Sequence, residues 1–370
     1  KKNTYEIGLD GGLSTRFSLP DDLGKTSNEN GYAYRFRINK LGGNFGYGYE
    51  RLVYDDQYYT SDLGYQTINN TSKNTLSLEY RLYKPWKFIR SSYNNINYSL
   101  SNHYITGKIT ENVMRVNSFT TLMNYITLFT SAGFTPGVFY DFFEPRVEGR
   151  FQKGFRFFYT YAGISTDYRK KLALDQSLSI SNSIGHYIAE NYNFETGLRY
   201  RISDRATIKL NVSIGSDPYN IGAEDFLPGD TIIYGVRKLH SNTIQLTGSY
   251  VFTKNMYLTL NARHYRAWAD HRYYATLLND GSLEQNMQYQ GNNNFNYNVF
   301  NIDFVFSWMF APGSTLSLAY KKIIENETDG ITEFKGYGDN LRNVLNDPQT
   351  NSISLKAVYY LDYLYLKKNR

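Results

Sequence analysis

The most chemically distinctive stretch of this sequence is Phe139-Tyr140-Asp141-Phe142-Phe143, followed at once by Glu144-Pro145-Arg146. An acid and a base flank a proline directly behind an aromatic run. Read functionally, such a stretch makes a surface on which sugar rings stack or a loop docks. Read structurally, Pro145 ends or bends a strand edge, where no ladder donor is needed. Glu144 and Arg146 then pair across a rim, an exposed ion pair of small energetic weight. The structural reading is the favoured one. A second set of charges alternates with apolar neighbours: Arg35 and Arg37, Arg199 and Arg201, Lys209, and Arg263. Alternation puts them on one inward, polar face. Basic residues lining a lumen favour small anionic solutes, or pair with lumen acids such as Glu79, Glu195 and Asp175. The candidate lumen and rim positions are therefore Glu144, Arg146, Arg199, Arg201, Lys209 and Arg263.

Catalytic chemistry finds less material. The five histidines, His103, His186, His240, His264 and His271, are scattered over loops and polar faces. A membrane-embedded hydrolase needs a Ser, a His and an orienting polar group converging on one wall, and convergence is not readable from sequence. Asp167, Glu224, Asp225 and Asp270 lack the ligand spacing of a known calcium loop. Without cysteine there is no disulfide, thiolate metal site or cysteine nucleophile. No catalytic residue, metal or cofactor is assigned.

The elements that must position these charges announce themselves by a period of two. Ala206, Ile208, Leu210, Val212 and Ile214 share one face, against Thr207, Lys209, Asn211 and Ser213. Phe300, Ile302, Phe304, Phe306, Trp308 and Phe310 do the same, as do Ile353, Leu355, Ala357, Tyr359 and Leu361. These are two-faced antiparallel strands rather than buried parallel ones. Short turns are expected at 40–43, 83–87, 203–205, 253–255 and 311–313. Long polar loops are expected at about 18–30, 55–72, 134–146, 217–241, 269–293 and 326–350. The alternation predicts about 16 strands (range 14 to 18). They lie near 5–17, 31–40, 43–54, 73–83, 86–93, 96–110, 114–133, 147–161, 169–184, 192–202, 206–216, 242–252, 256–268, 295–310, 314–325 and 351–364.

Composition separates the classes such strands could serve. With 41% hydrophobic and 17% aromatic residues the chain is too apolar for disorder. No run approaches the roughly 20 apolar residues of a membrane helix. The 37 Tyr and 23 Phe sit oddly beside a mean hydropathy of −0.53. A transmembrane barrel reconciles them, because its inner face and loops are polar while aromatic girdles mark the membrane boundaries. Tyr80, Tyr83 and Trp86, Tyr250, Phe252 and Tyr257, Trp308 and Phe310, and Tyr359, Tyr360, Tyr363 and Tyr365 crowd strand ends beside short turns. A soluble sandwich would take shorter strands and place its aromatics inside. The net charge of +6 follows the strand period and is not gathered in one patch, so nucleic acid is not an expected partner. Lys367, Lys368 and Arg370 are expected at the periplasmic end.

Phe142-Phe143-Glu144-Pro145-Arg146 with Gly149-Arg150, Ser165-Thr166-Asp167-Tyr168-Arg169, the stretch Phe300–Ser314, and Tyr359-Tyr360-Leu361-Asp362-Tyr363 resemble recurrent motifs of a family of Bacteroidota envelope proteins. That family joins an N-terminal domain similar to carbohydrate-binding family 9 to a long C-terminal domain of unknown function. The resemblance covers essentially the whole chain. It implies an outer-membrane barrel in one domain, residues 1–370, with short periplasmic turns and long extracellular loops. The opening Lys1-Lys2-Asn3-Thr4 is expected to belong to a longer precursor. Expected partners are outer-membrane lipid and lipopolysaccharide, other envelope proteins, and a glycan or small anionic solute. Three roles remain open: a porin-like or plugged channel, a non-catalytic scaffold in a larger envelope complex, and a membrane-embedded hydrolase.

Overall fold

A computed structural model describes residues 4–17, 28–59, 69–184, 189–361 and 363. In chain order the strands are β1 (Tyr5–Phe17), β2 (Asn28–Lys40), β3 (Phe45–Tyr54), β4 (Thr71–Leu82), β5 (Ile89–His103), β6 (Ile109–Leu122), β7 (Thr127–Phe134), β8 (Phe139–Asp141), β9 (Gln152–Gly154) and β10 (Arg156–Ser165). They continue as β11 (Leu172–Ile184), β12 (Ala189–Ser203), β13 (Ala206–Leu227), β14 (Thr231–Thr253), β15 (Met256–Leu277), β16 (Leu283–Gln285), β17 (Phe295–Ala311), β18 (Ser314–Asp329) and β19 (Thr350–Val358). One helix, α1 (Tyr337–Leu345), stands between the last two.

The main sheet has 17 strands, of which β16 is a three-residue strand on the tip of β15. The other 16 run as an antiparallel meander, each bonded to the next in sequence, with the β8–β9 hairpin set apart between β7 and β10. The fold is an all-β, up-and-down barrel with short turns at one end and long connections at the other. Curvature is visible where the connection between β7 and β10 touches both the β5–β6 end and the tips of β13–β15.

Register decides which face looks inward. Arg199 lies opposite Lys209 and Glu195 opposite Ser213, while Leu198 opposes Leu210 and Phe194 opposes Ile214. On the polar face Ser99, Ser101 and Ser177 are buried, whereas Leu76, Leu78, Met114, Leu178 and Leu198 on the other face stay well exposed. A rolled sheet shelters its concave side, so the polar face lines the lumen and the apolar face forms the outer band. That band meets hydrocarbon as a transmembrane barrel requires. At the short-turn end it finishes in packed aromatics, with Tyr250 edge-on to Phe252 and Trp308 to Phe310.

The predicted strand number holds, though two segments differ in compensating ways. The strands expected at 86–93 and 96–110 are one strand, β5. Asn94 and Asn95, which look like turn residues, bond neighbouring side chains instead. The strand expected at 114–133 is two, β6 and β7, folded at a turn without Gly or Pro in which Tyr125 itself takes a φ of +64°. The strand expected at 147–161 begins later, as β10.

The loop expected at 217–241 is largely strand, and that expected at 269–293 is strand to Leu277 and again at Leu283–Gln285, because β13, β14 and β15 run far past the band. Ile232, Ile233, Tyr234 and Val236 are all buried there. With both faces covered, the alternation that marks a strand disappears. The loop expected at 326–350 is strand to Asp329 and contains α1. Much of the loop expected at 18–30, part of that at 55–72, and Asp362, Tyr365, Lys367, Lys368 and Arg370 lie outside the described residues.

Among the described residues no pairing joins β1 to β19. All nine residues of β19 are exposed. Ile7 and Leu9 on β1 are 73% and 76% exposed, against 40% for Leu210 on an interior strand. The wall therefore carries one seam, between its first and last strands.

Candidate functional site

The lumen wall falls into two electrostatic regions. On β1 to β6 the charges compensate one another. Asp10 accepts hydrogen bonds from Arg35 at 3.0 Å and Arg37 at 2.9 Å, and Arg37 also reaches Glu6 at 3.0 Å. Glu111 lies between Lys73 at 2.6 Å and Arg115 at 3.5 Å. Glu79 receives Arg81 together with the Tyr93 hydroxyl.

On β12 to β15 compensation is incomplete. Arg199 and Lys209 face each other directly across the β12–β13 ladder, an unfavourable pairing of like charges. Asp175 on β11 is 3.7 Å from Lys209. Arg199 turns away, its guanidinium 4.3 Å over the Tyr168 ring while it donates to the Tyr168 carbonyl. Arg201 donates likewise to the Arg169 carbonyl. The turn presenting these carbonyls is fixed by Asp167, whose carboxyl is held down to about 2 by side-chain and backbone hydrogen bonds from Arg169. Arg263 lies between Gln245 and Asn301 in the ladders, and its ring partner is Tyr265, 5.5 Å away. Among the described residues it has no ion pair. Arg263, Lys209, Asp175, Glu195, Gln245 and Tyr161 line a recess of about 470 Å³. Four of the six expected positions, Arg199, Arg201, Lys209 and Arg263, thus share the inner face. Three of them contact turn backbone or a partner acid, and Arg263 contacts the Tyr265 ring.

Glu144 and Arg146 are placed differently from expectation. No ion pair joins them among the described residues. Pro145 is buried in a turn beyond β8 rather than at a strand edge. The Glu144 carboxylate accepts the Ala223 N–H at 2.9 Å, and Arg146 closes the turn with φ +52°, its N–H on the Phe143 carbonyl. Their segment, 135–155, is a crossbar over the mouth. At one end the Phe142 ring stacks on His103 at 4.0 Å, and the Lys108 ammonium stands 4.5 Å from the rings of both Tyr140 and Phe151. At the other end Arg150 donates to the carbonyls of Asp230 and Leu277, at 2.9 and 2.8 Å. Lys153 bonds Gly281 through its backbone and Asp280 through its side chain, 2.7 Å away. Val147 packs on Ile232, Tyr234 and Leu277. Nothing in the sequence marks Arg150 and Lys153 as anchors, because their acceptors are backbone atoms or lie more than a hundred residues away.

Beneath the crossbar, Glu224, Arg237 and His271 form a half-buried cluster, with His271 Nε2 3.1 Å from the carboxylate and Arg237 also in contact. Burial alone would raise the Glu224 carboxyl; His271 and Arg237 outweigh it and hold it below its usual range. A second polar cluster sits on the outer face above the apolar band. There the Tyr337 hydroxyl meets His264 Nδ1 at 2.8 Å, Arg266 donates to the Lys335 carbonyl, and Asn340 of α1 donates to Asn298 at 2.6 Å. The described histidines bond Thr106, Tyr337, Asn294 and Glu224, or stack on Trp268, and none is bonded to a serine. His186 lies outside the described residues.

Comparison with known proteins adds a family. A family model described as "Domain of unknown function (DUF5916)" matches residues 1–370. Comparison with curated proteins finds no match. Among solved structures, the anion-selective porin from Comamonas acidovorans is 12% identical, with 87% of this chain and 90% of that chain covered and a TM-score of 0.35. The outer membrane channel DcaP of Acinetobacter baumannii is 13% identical, with 97% and 99% covered and a TM-score of 0.36. In-vitro folded OmpT, an outer membrane protein of Vibrio cholerae, is 10% identical, with 98% and 99% covered and a TM-score of 0.35.

Proposed function

This chain belongs to the DUF5916 family, and we propose that it forms a passive outer-membrane channel for small anionic solutes, narrowed at its extracellular mouth by the crossbar 135–155. The observation that carries the reading is the excess of bases on this part of the inner face, Arg199, Arg201, Lys209 and Arg263 against Asp175 and Glu195, beside a recess of about 470 Å³. Fixed cations on a lumen wall attract anions and repel cations within about a Debye length, roughly 8 Å at physiological salt. Sixteen strands give a bore wide enough for an aqueous path. The zwitterionic wall from β1 to β6 contributes a transverse field without a net preference. Acidic sugars and other carboxylated or phosphorylated small solutes fit this chemistry, which keeps a link to glycan uptake within the proposal.

Purified protein in planar bilayers tests it. Stepwise conductance is expected, and under a potassium chloride gradient the reversal potential takes the sign of chloride preference. Lys209→Glu with Arg263→Glu should move that potential toward potassium. A sealed bilayer, or a potential unaffected by the double substitution, refutes the channel or its selectivity respectively.

A further inference from the structure

The short-turn rim carries a concentration of charge that the lumen does not use. Among the described residues Lys84, Lys87, Arg90, Arg169, Lys170, Lys171, Arg205 and Lys254 are exposed there, and Asp204 is the one exposed acid of those turns. Asp167 on the same rim is already paired with Arg169 at 2.7 Å. Across the opposite end the connections hold more acids than bases, including Asp141, Glu148, Asp230, Asp280 and Asp347. The barrel is thus polarised along its axis, basic at the short turns.

Three of these turns converge. Tyr125, in the β6–β7 turn, is clasped by two guanidinium groups: Arg90 from β5, 4.4 Å over its ring and hydrogen-bonded to its hydroxyl at 2.9 Å, and Arg169 from the β10–β11 turn, at 3.2 Å. The ring holds both cations in place; Arg169 is also paired with Asp167, whereas Arg90 has no ion pair among the described residues. In the β4–β5 turn Lys87 stands 4.7 Å from the Trp86 ring. Tyr83, Trp86, Phe88 and Met123 around them are 48% to 65% exposed. These aromatics stand at the same end as Tyr250, Phe252, Trp308 and Phe310. Aromatic rings of this kind settle at the headgroup level of a bilayer. The cations beside them therefore lie at the depth of lipid phosphates.

We propose that the turns between β4 and β5, β6 and β7, and β10 and β11 form a binding surface for anionic phospholipid headgroups of the leaflet on the short-turn side. Trp86 and Phe88 enter the interface, and Lys87, Arg90 and Lys170 meet the phosphates, while Arg169 is paired with Asp167 and props the turn. Arg90, preset against Tyr125, presents its remaining guanidinium donors to phosphate oxygens in a planar geometry that a lysine does not reproduce. An acidic soluble protein would need the charge but not the exposed aromatic border, which favours lipid as the occupant. The proposal requires the barrel to cross a bilayer and is independent of what passes through the lumen.

The test places the whole chain in nanodiscs of phosphatidylcholine with increasing phosphatidylglycerol, and counts retained lipid by native mass spectrometry. Phosphatidylglycerol should be enriched on the protein over the bulk disc, and the enrichment should fall as salt rises. Neutralising Lys87, Arg90 and Lys170 to Gln should weaken retention by about fivefold per residue. Arg90→Lys should keep only part of the native retention. The salt titration needs no variant, so the proposal stays testable if the triple substitution fails to fold. Enrichment that is absent or insensitive to salt, or equal in wild type and a folded variant, overturns it. Displacement of the lipid by millimolar inorganic phosphate overturns the lipid as the source and leaves a general anion site.

Discussion

Arg150→Ala should unlatch the crossbar from the far rim. In the native protein one guanidinium donates to the carbonyls of Asp230 and Leu277, at 2.9 and 2.8 Å, joining segment 135–155 to the tips of β14 and β15. A hydrogen bond from a charged donor contributes about 1.5 kcal/mol at the lower end of its range, and two give about 3 kcal/mol. The equilibrium between docked and undocked crossbar then shifts by a factor of about 150, since roughly 1.4 kcal/mol is tenfold. The Lys153 contacts and the Val147 packing remain, so the variant should flicker rather than stay open. Single-channel recording is the assay. The expected record shows brief steps to a higher conductance, rare in wild type and more than tenfold more frequent in Arg150→Ala. Arg150→Lys should resemble Ala more than wild type, because one ammonium does not reproduce the planar fork. Identical conductance and identical noise in all three proteins would show that the crossbar does not limit the path, and the reasoning fails.

Other outcomes follow from the same contacts. Asp280 is held below its usual range, chiefly by Lys153 and then by Ser282; its clasp is therefore fully present above the ordinary Asp value of about 3.9 and is lost as pH falls through the depressed one. Crossbar flicker should be flat through neutral pH and rise only in strong acid, and Asp280→Asn should abolish that rise. Gly133 and Gly163 lie under the rings of Tyr159 and Phe129 across the ladder, so a Cβ at either would meet ring atoms at 2.0 Å. Gly163→Leu should lower stability by about 1–3 kcal/mol, read as the urea midpoint of refolding in detergent. Ile324 and Val344, buried between β18 and α1, tie the helix to the outer wall. Ile324→Ala should cost about 2–5 kcal/mol, and a protease should then cut the 330–349 segment faster; unchanged cleavage would show that the helix is held by its polar contacts alone. The chain has no native cysteine, so paired cysteines can report the seam cleanly. Gly8→Cys combined with Ser354→Cys, Lys356→Cys or Val358→Cys should crosslink within one chain in one of the three pairs, whereas crosslinks only between chains would assign the edges to a second copy.

How far the sequence reveals this molecule depends on how many faces of each strand are wet. Where one face meets the lumen and the other the outer band, as in Ala206–Ile214 or Phe300–Phe310, the period of two locates the strand and sorts its residues correctly. Where both faces are covered, as at Ile232, Ile233 and Tyr234, the period vanishes and strand reads as loop. Turn chemistry is equally uneven: Gly313 marks its hairpin, but Tyr125 makes one with a side chain that seldom adopts a positive φ. Arg199, Arg201, Lys209 and Arg263 were legible as a row because strand parity alone puts them on one face. The role of Glu144 was not, since its partner is a backbone N–H on β13. Nor were the crossbar anchors, because contacts between distant loops leave no periodic trace.

The seam between β1 and β19 also bears on the order in which the molecule is made. Every other ladder in the wall joins strands adjacent in the chain, so hairpins can form locally and zip outward with little loop-closure entropy to overcome. A ladder that covers the free edges of β1 and β19, by contrast, is absent among the described residues. Covering them is a long-range and therefore slow event, and until it happens two rows of backbone N–H and C=O groups stand unsatisfied, which hydrocarbon does not tolerate. Insertion and closure must therefore be concerted or assisted. A short peptide matching β1 or β19 should cap an open edge and block whatever strand covers it, making these two edges the most vulnerable point during biogenesis.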